Sequence, residues 1–431
     1  MRLLRPPLTA PDLAADTTGV ATASTDGSLL RHNAIYFLGS LVVLGLAASY
    51  QFLSGRLLGP RDYASVAAVF SLFSVLLVPG LMVSMVASRS AAAFVATSSA
   101  DELRLFFRRL SSILVWSSLG AGFLFLLLSP LIARFLLVPP QTVAALTPAV
   151  LFILLAAINR GVLQGEQRFL SLSAVQTLDA FSRAVLAVVV IELGFGANGA
   201  ILAVGAGIVV SYAASFWPLR RVATGHRALR FDAQPVVRFA GPAAVAVAGT
   251  TLLASSDVLL VKHYLSAEQA GLYASVATLG RVVLMVTASI SAVMFPRVTA
   301  LEHLGRPSTR TLTLSAVAMV AVASVAVIGL ALAPSLALMP FGPQFTTAGP
   351  YLPIYGVGMA ALALASLLVT YLLARHDHRF VPVIVLVVLL EVVLISAFHA
   401  SIWQVVWVMV AVGVTMLAAM ALLYFTRNRN G

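Results

Sequence analysis

From Asn33 onward, apolar runs alternate with short polar breaks along the whole chain. A helix rising 1.5 Å per residue needs about twenty residues to cross the hydrocarbon layer of a bilayer. By that rule the runs predict twelve helices, near 33–54, 64–88, 110–130, 143–163, 170–192, 199–217, 236–261, 268–293, 311–333, 350–374, 380–399 and 402–425. Residues 1–31 are rich in Pro, Thr, Ala and Asp. They lack the apolar core of a signal peptide, which predicts a flexible tail. The expected order is a tail (1–31), a six-helix lobe (32–217), a basic linker (218–235), a second six-helix lobe (236–425) and a short tail (426–431).

Composition agrees with the pattern. The 431 residues are 60% hydrophobic and 10% charged, where a soluble domain carries about a quarter charged residues. The fold class expected is an all-α polytopic membrane protein. A net charge of +12 raises the question of nucleic acid, but its placement answers otherwise. With Arg160 and Arg238, which sit near predicted helix ends, counted with their connections, the tail, the even-numbered connections and the C-terminus hold 21 Lys and Arg, and the odd-numbered connections hold 4. The remaining two, Arg183 and Arg281, fall inside predicted helices. Basic loops stay on the cytoplasmic side, so both termini are expected there, in the cytoplasmic membrane. The basic charge also suits anionic lipid headgroups, and no nucleic-acid partner is expected. Cysteine is absent, which excludes disulfides and thiol chemistry. His376 and His378 lie between Arg375 and Arg379 in a polar turn. That turn reads as a solvated cytoplasmic loop, and no metal or cofactor is expected. The connections are too short to house the catalytic groups of a membrane transferase or polymerase, so no enzymatic activity is expected.

The two halves repeat one another. Tyr63-Ala64-Ser65-Val66-Ala67 returns as Tyr273-Ala274-Ser275-Val276-Ala277, and Arg168-Phe169 as Arg379-Phe380. Pro140-Gln141 with Pro148 is matched by Pro343-Gln344 with Pro350. These matches share nearly one offset and one order. A unit of six helices inserted twice in the same orientation gives a pseudo-two-fold axis along the membrane normal.

Four segments carry a resemblance to a known family. They are Leu57-Leu58-Gly59-Pro60-Arg61-Asp62-Tyr63, Leu163-Gln164-Gly165-Glu166-Gln167-Arg168-Phe169, the stretch from Asp257 to Leu265 leading to Ala270-Gly271-Leu272-Tyr273, and Phe341-Gly342-Pro343-Gln344-Phe345. In order and in coverage the chain resembles the polysaccharide flippases of the multidrug, oligosaccharidyl-lipid and polysaccharide exporter (MOP) superfamily. The resemblance implies a V-shaped, two-lobed bundle whose central cavity is lined by the first, second, seventh and eighth helices. It implies a lipid-linked oligosaccharide as cargo, and glycosyltransferases and a polymerase of the same pathway as partners. The turn before Tyr63 is three residues shorter than its counterpart in the second half.

Charged residues inside the predicted helices are the candidate site. Arg281 lies about 13 residues into the eighth helix, ~20 Å from its end, with no acid within a turn. A permanent cation at that depth needs an anion or water, and a guanidinium fork matches a phosphate. Ala274, Ala277, Thr278, Ala288 and Ser289 share its face, a pattern that suits a wet cavity wall or close helix packing. Arg183 follows Asp179 by four residues, which suits an ion pair or a cargo contact, with Asp179 as partner or protonation site. Asp257 is expected to pair with Lys262 at the interface, or to couple ions. Glu391 sits in the aliphatic run from Val383 to Leu394, for proton coupling or for pairing with a neighbouring helix. Arg281 and Arg183 are thus the candidate substrate-binding residues, and Asp179, Asp257 and Glu391 the candidate ion-coupling residues. The function expected is a flippase for polyprenyl-phosphate-linked oligosaccharides. An ion-coupled multidrug exporter of the same superfamily is the alternative.

Overall fold

The computed structural model describes residues 23–96, 100–223 and 234–429. These are almost wholly helical, with no strand among them. In chain order the helices are α1 (Ala23–Ala96), α2 (Ala100–Leu136), α3 (Pro140–Ala144), α4 (Thr147–Gly165), α5 (Phe169–Val190), α6 (Gly196–Ala223) and α7 (Gln234–Leu253). There follow α8 (Ser256–Tyr264), α9 (Ala267–His303), α10 (Thr309–Leu332), α11 (Pro334–Leu338), α12 (Leu352–Ala374), α13 (Phe380–Ala397) and α14 (Ile402–Arg429). Tight 3₁₀ turns, Met339–Phe341 and Pro343–Tyr351, connect α11 to α12.

Ten apolar helical stretches are long enough to cross a membrane. Two of them are double length, Gly39–Ala96 with 58 residues and Phe169–Arg220 with 52. The first breaks at Gly59, which sits at φ 74° and ψ 173°. Only glycine takes that backbone without strain, and Pro60 then starts the second arm with its φ already set. The other breaks at Gly194 (φ 90°) and Gly196 (φ 53°). Each double stretch therefore supplies two passes, and the count of twelve agrees with the sequence pattern.

Helix ends depart from the expected ones where polarity and helicity part company. Helix α2 starts at Ala100, ten residues before the predicted span, with Asp101 and Glu102 in its first turn. Acids favour a helix N-terminus, and polar residues exclude a turn from lipid without unwinding it. Helix α1 begins at Ala23, inside the stretch expected to be a tail. Residues 1–22, the linker arginines Arg227 and Arg230, and residues 430–431 lie outside the described residues.

The seventh predicted helix is two pieces, α7 and α8, separated at Ala254–Ser255. The local sequence Thr250-Thr251 and Ser255-Ser256 explains the break. Thr250 Oγ1 donates to the carbonyl of Ala246 at 2.8 Å, and Ser256 Oγ to that of Leu252 at 2.7 Å. Hydroxyls that bond back to the preceding turn compete with the helical ladder. Asp257 is thereby placed in the first turn of α8.

Large apolar side chains such as Trp116, Leu332 and Phe123 face outward at 74%, 81% and 71% exposure, where the bilayer supplies the apolar solvent. Inside, Tyr50, Tyr63, Tyr273, Tyr355 and Tyr371 are fully or almost fully buried, and each hydroxyl finds a partner. The two halves of the chain meet along a seam where α1 packs on α7, α8 and α9.

Candidate functional site

A cavity of about 500 Å³ lies on this seam. Leu44, Ala48, Gln51, Phe70 and Ser74 line it from the two arms of α1, and Thr250 and Ser255 from α7 and the break after it. Helix α9 contributes a stripe of Thr278, Arg281, Met285, Ala288 and Ser291, and α12 adds Ser366 and Thr370. Intervals of three and four residues put that α9 stripe on one face. The walls expected from the resemblance are the walls found, with α12 and Met319 of α10 in addition. Of the small residues grouped with Arg281 in the sequence, Thr278 and Ala288 line the cavity. Ala274 and Ala277 are buried in the core instead.

Arg281 reaches the cavity with its side chain 16% exposed. Its acid is distant in sequence and close in space. Asp257, wholly buried, accepts from Arg281 Nη2 at 3.2 Å through Oδ1. Through Oδ2 it accepts from the hydroxyls of Tyr273 at 2.8 Å and Tyr355 at 2.7 Å. The Tyr355 ring lies against α9 at Gly280, where a Cβ would fall 2.2 Å from its Cδ1. The first-turn position of Asp257 adds the positive end of the α8 dipole.

This arrangement corrects the expected Asp257–Lys262 pair. Five residues apart on one helix, the two side chains diverge by roughly 140°. Lys262 instead donates to the carbonyl of Leu137 at 3.4 Å. Glu391 of α13 is fully buried and forms no ion pair among the described residues. Its Oε1 accepts from Ser256 Oγ at 2.7 Å, and its Oε2 has no partner among the described residues.

A second cluster occupies the first half. Asp179 accepts from Arg183 Nη2 at 2.9 Å, the expected spacing of four, and from Arg160 Nη2 at 2.6 Å. Arg160 Nη2 also donates to Ser211 Oγ of α6 at 3.2 Å. The Arg183 guanidinium carbon stands 6.0 Å from the ring centre of Phe70 and 5.7 Å from that of Phe73. Two smaller cavities, about 320 and 300 Å³, are each lined by Arg160, Asp179 and Arg183. Arg160 falls inside the predicted helix 143–163 but, near its end, is counted with the cytoplasmic connection and so is not weighed as a site residue. It lies within α4. The signal was there, since apolar residues continue to Leu163 on the far side of Asn159-Arg160.

A family model described as "polysaccharide biosynthesis protein" matches residues 53–350. The chain belongs to that family. No curated protein sequence matches it. Among solved structures, the fold is similar to the inward-facing conformation of a multidrug resistance MATE family transporter of the MOP superfamily, with TM-score 0.74 and 13% identity over 90% of this chain and 97% of that one. The outward-facing conformation of a transporter of the same description gives TM-score 0.66 and 15% identity over 92% and 95%. A MOP superfamily transporter from Pyrococcus furiosus, whose structure is described as having a binding pocket of reverse polarity, gives 0.64 and 15% over 92% and 95%. This member of the polysaccharide biosynthesis protein family is thus a multi-pass membrane protein with the fold of the MOP transporters. In that fold its two arginine–aspartate clusters stand on either side of Phe70, which lines both the seam cavity and the larger first-half cavity.

Proposed function

We propose that the chain is a flippase and not an enzyme. It carries polyprenyl-phosphate-linked oligosaccharide across the cytoplasmic membrane for surface polysaccharide assembly, by alternating access of two six-helix lobes. The observation that carries this reading is a guanidinium, Arg281, on the wall of a seam cavity shared by both halves, in a chain of the polysaccharide biosynthesis family. A guanidinium has five N–H donors. Asp257 holds one of them and fixes the side chain, and its Nε has no acceptor among the described residues. The remaining donors meet the phosphate of the cargo, and Arg183 makes a further cargo contact. The glycan occupies the wet cavity and the polyprenyl tail stays in lipid. Asp179, Asp257 and Glu391 are the carboxylates available for ion coupling. Both termini are cytoplasmic, and the working partners are membrane lipids and the glycosyltransferases and polymerase of the pathway.

The test is reconstitution of the full chain in liposomes with a fluorescent lipid-linked oligosaccharide, scoring its passage by a glycosidase added outside. Wild-type protein is expected to expose the glycan, and Arg281→Lys to retain part of the activity because it keeps the charge and loses the fork. One observation favours a multidrug exporter as the second reading. Asp257 neutralises Arg281, and much of the remaining cavity wall is apolar or hydroxylic. Proton- or sodium-driven loss of an organic cation from the same liposomes, without glycan passage, would select that reading.

A further inference from the structure

We infer that Arg160, Asp179 and Arg183 form a second oxyanion-binding subsite, separate from Arg281. The inference rests on the flippase reading for its biological use but not for its chemistry. The two clusters differ in formal charge. One aspartate answers one arginine at Arg281, whereas in the first half one aspartate answers two, leaving one positive charge in excess. Buried cations without a full complement of anions are costly, more so inside a membrane.

Both first-half guanidiniums also carry an unused donor. The Nε atoms of Arg160 and Arg183 are buried and have no acceptor among the described residues. Buried donors are ordinarily satisfied by protein, water or ligand. Each arginine gives its Nη2 to Asp179, which holds the pair on one carboxylate, and Phe70 and Phe73 take one face of Arg183. The cluster is therefore preorganised before any ligand arrives. Both adjoining cavities are lined by all three charged residues, and the larger has Gln164 and Gln176 as neutral hydrogen-bonding groups. A positive excess, free donors and neutral amides suit a phosphate or carboxylate oxygen and do not suit an organic cation. Two sources offer that chemistry, the phosphate of the lipid carrier and an acidic sugar of the glycan.

Calorimetric titration of the purified full chain in nanodiscs separates them. The probes are farnesyl diphosphate, a glucuronate-containing disaccharide and, as neutral control, N-acetylglucosamine. At least one oxyanion is expected to bind and the neutral sugar not to. Farnesyl diphosphate binding that Arg160→Gln or Arg183→Gln weakens assigns the subsite to the carrier, and binding of the glucuronate probe weakened by the same variants assigns it to the glycan. Arg160→Gln or Arg183→Gln is expected to weaken binding about tenfold or more, the scale of a lost hydrogen bond to a charged group. Asp179→Asn raises the excess to two charges and is expected to tighten binding, a gain that a purely structural ion pair does not produce. Should Asp179→Asn fail to fold, Arg160→Lys and Arg183→Lys decide the matter, since they keep the charge and retain binding that the glutamines lose. Failure of both oxyanions to bind, equal binding of the neutral sugar, or unchanged affinity in both glutamine variants overturns the inference. Normal glycan passage by Arg160→Gln together with lost oxyanion binding would show a site unused by the cargo, leaving the flippase standing. Oxyanion binding without any glycan passage by the wild type would sink the flippase and leave the subsite.

Discussion

Asp257 is the most constrained group of the seam cluster, because one buried carboxylate takes a guanidinium and two phenols. Breaking a buried ion pair from one side strands the other charge and costs about 3–5 kcal/mol. Arg281→Ala is therefore expected to lower the amount of folded protein in the membrane, and Arg281→Gln combined with Asp257→Asn to recover much of it. Quantifying abundance and glycan passage in the same preparations separates the roles of Arg281. A double variant of normal abundance that cannot translocate glycan marks a cargo contact, and one that translocates fully leaves Arg281 a structural residue. Gly280 supports the same carboxylate from behind. Gly280→Ala places a methyl 2.2 Å from Tyr355 Cδ1 and must displace the ring that donates to Asp257. Overpacking of that kind costs about 1–3 kcal/mol, seen as a lower thermal midpoint; an unchanged midpoint would refute the packing role. The arginines and acids themselves were legible in the sequence, because a charge in an apolar run stands out. Their partners were not. Asp257 and Arg281 are 24 positions apart and meet only after α8 and α9 pack, and Arg160 sat too near a helix end to be separated from a loop.

At the scale of the helices, an apolar run of membrane length could be read with little ambiguity, and all twelve passes were. The α7–α8 break was not read, since Thr and Ser pass as weakly polar helix residues until their hydroxyls turn back on the backbone. The polar first turns of α2 were read as loop for the complementary reason, that hydropathy reports lipid exposure and not backbone conformation. The break has a consequence at Ser256, whose one hydroxyl proton is shared between the Leu252 carbonyl and Glu391 Oε1, each at 2.7 Å. Ser256→Ala removes the donor that Glu391 Oε1 uses, leaving a buried carboxyl without it at a cost of about 1–3 kcal/mol. Adding Glu391→Leu is expected to restore stability, since removing both polar partners is nearly neutral. Chemical denaturation of the purified single and double variants measures this. A double variant no more stable than Ser256→Ala would show that Glu391 has other support. If Glu391 serves ion coupling, the restored protein also loses gradient-driven transport.

The whole molecule is held closed along one part of the seam by an aromatic cluster. Phe52 and Tyr63 of α1 pack edge-on against Phe341 at 4.9 and 5.4 Å, and Tyr63 meets Phe345 at 5.7 Å. Tyr63 Oη also lies 3.3 Å from Thr278 Oγ1 of α9, so the contact joins the seal to the cavity wall. In the proposed topology, the connection that carries Phe341 and Phe345 lies outside the cytoplasm. Reporter fusions after Leu265 and after Gly431 should therefore read opposite sides, and identical readings would break the twelve-pass topology. The proposed alternating access requires the seal to part when the cavity empties outward. The absence of cysteine makes that requirement testable. A Cβ at Gly55 falls 3.5 Å from the Cβ of Phe341 across the seam, within the range a disulfide spans. Gly55→Cys with Phe341→Cys is expected to cross-link under oxidation, seen as a thiol-reversible loss of reactivity toward maleimide. Glycan passage should stop in the oxidised protein and return on reduction, with each single variant insensitive to oxidant. Transport that continues with the cross-link fully formed would mean that the two halves need not separate there, and that the cargo leaves by a path that does not cross the aromatic seal.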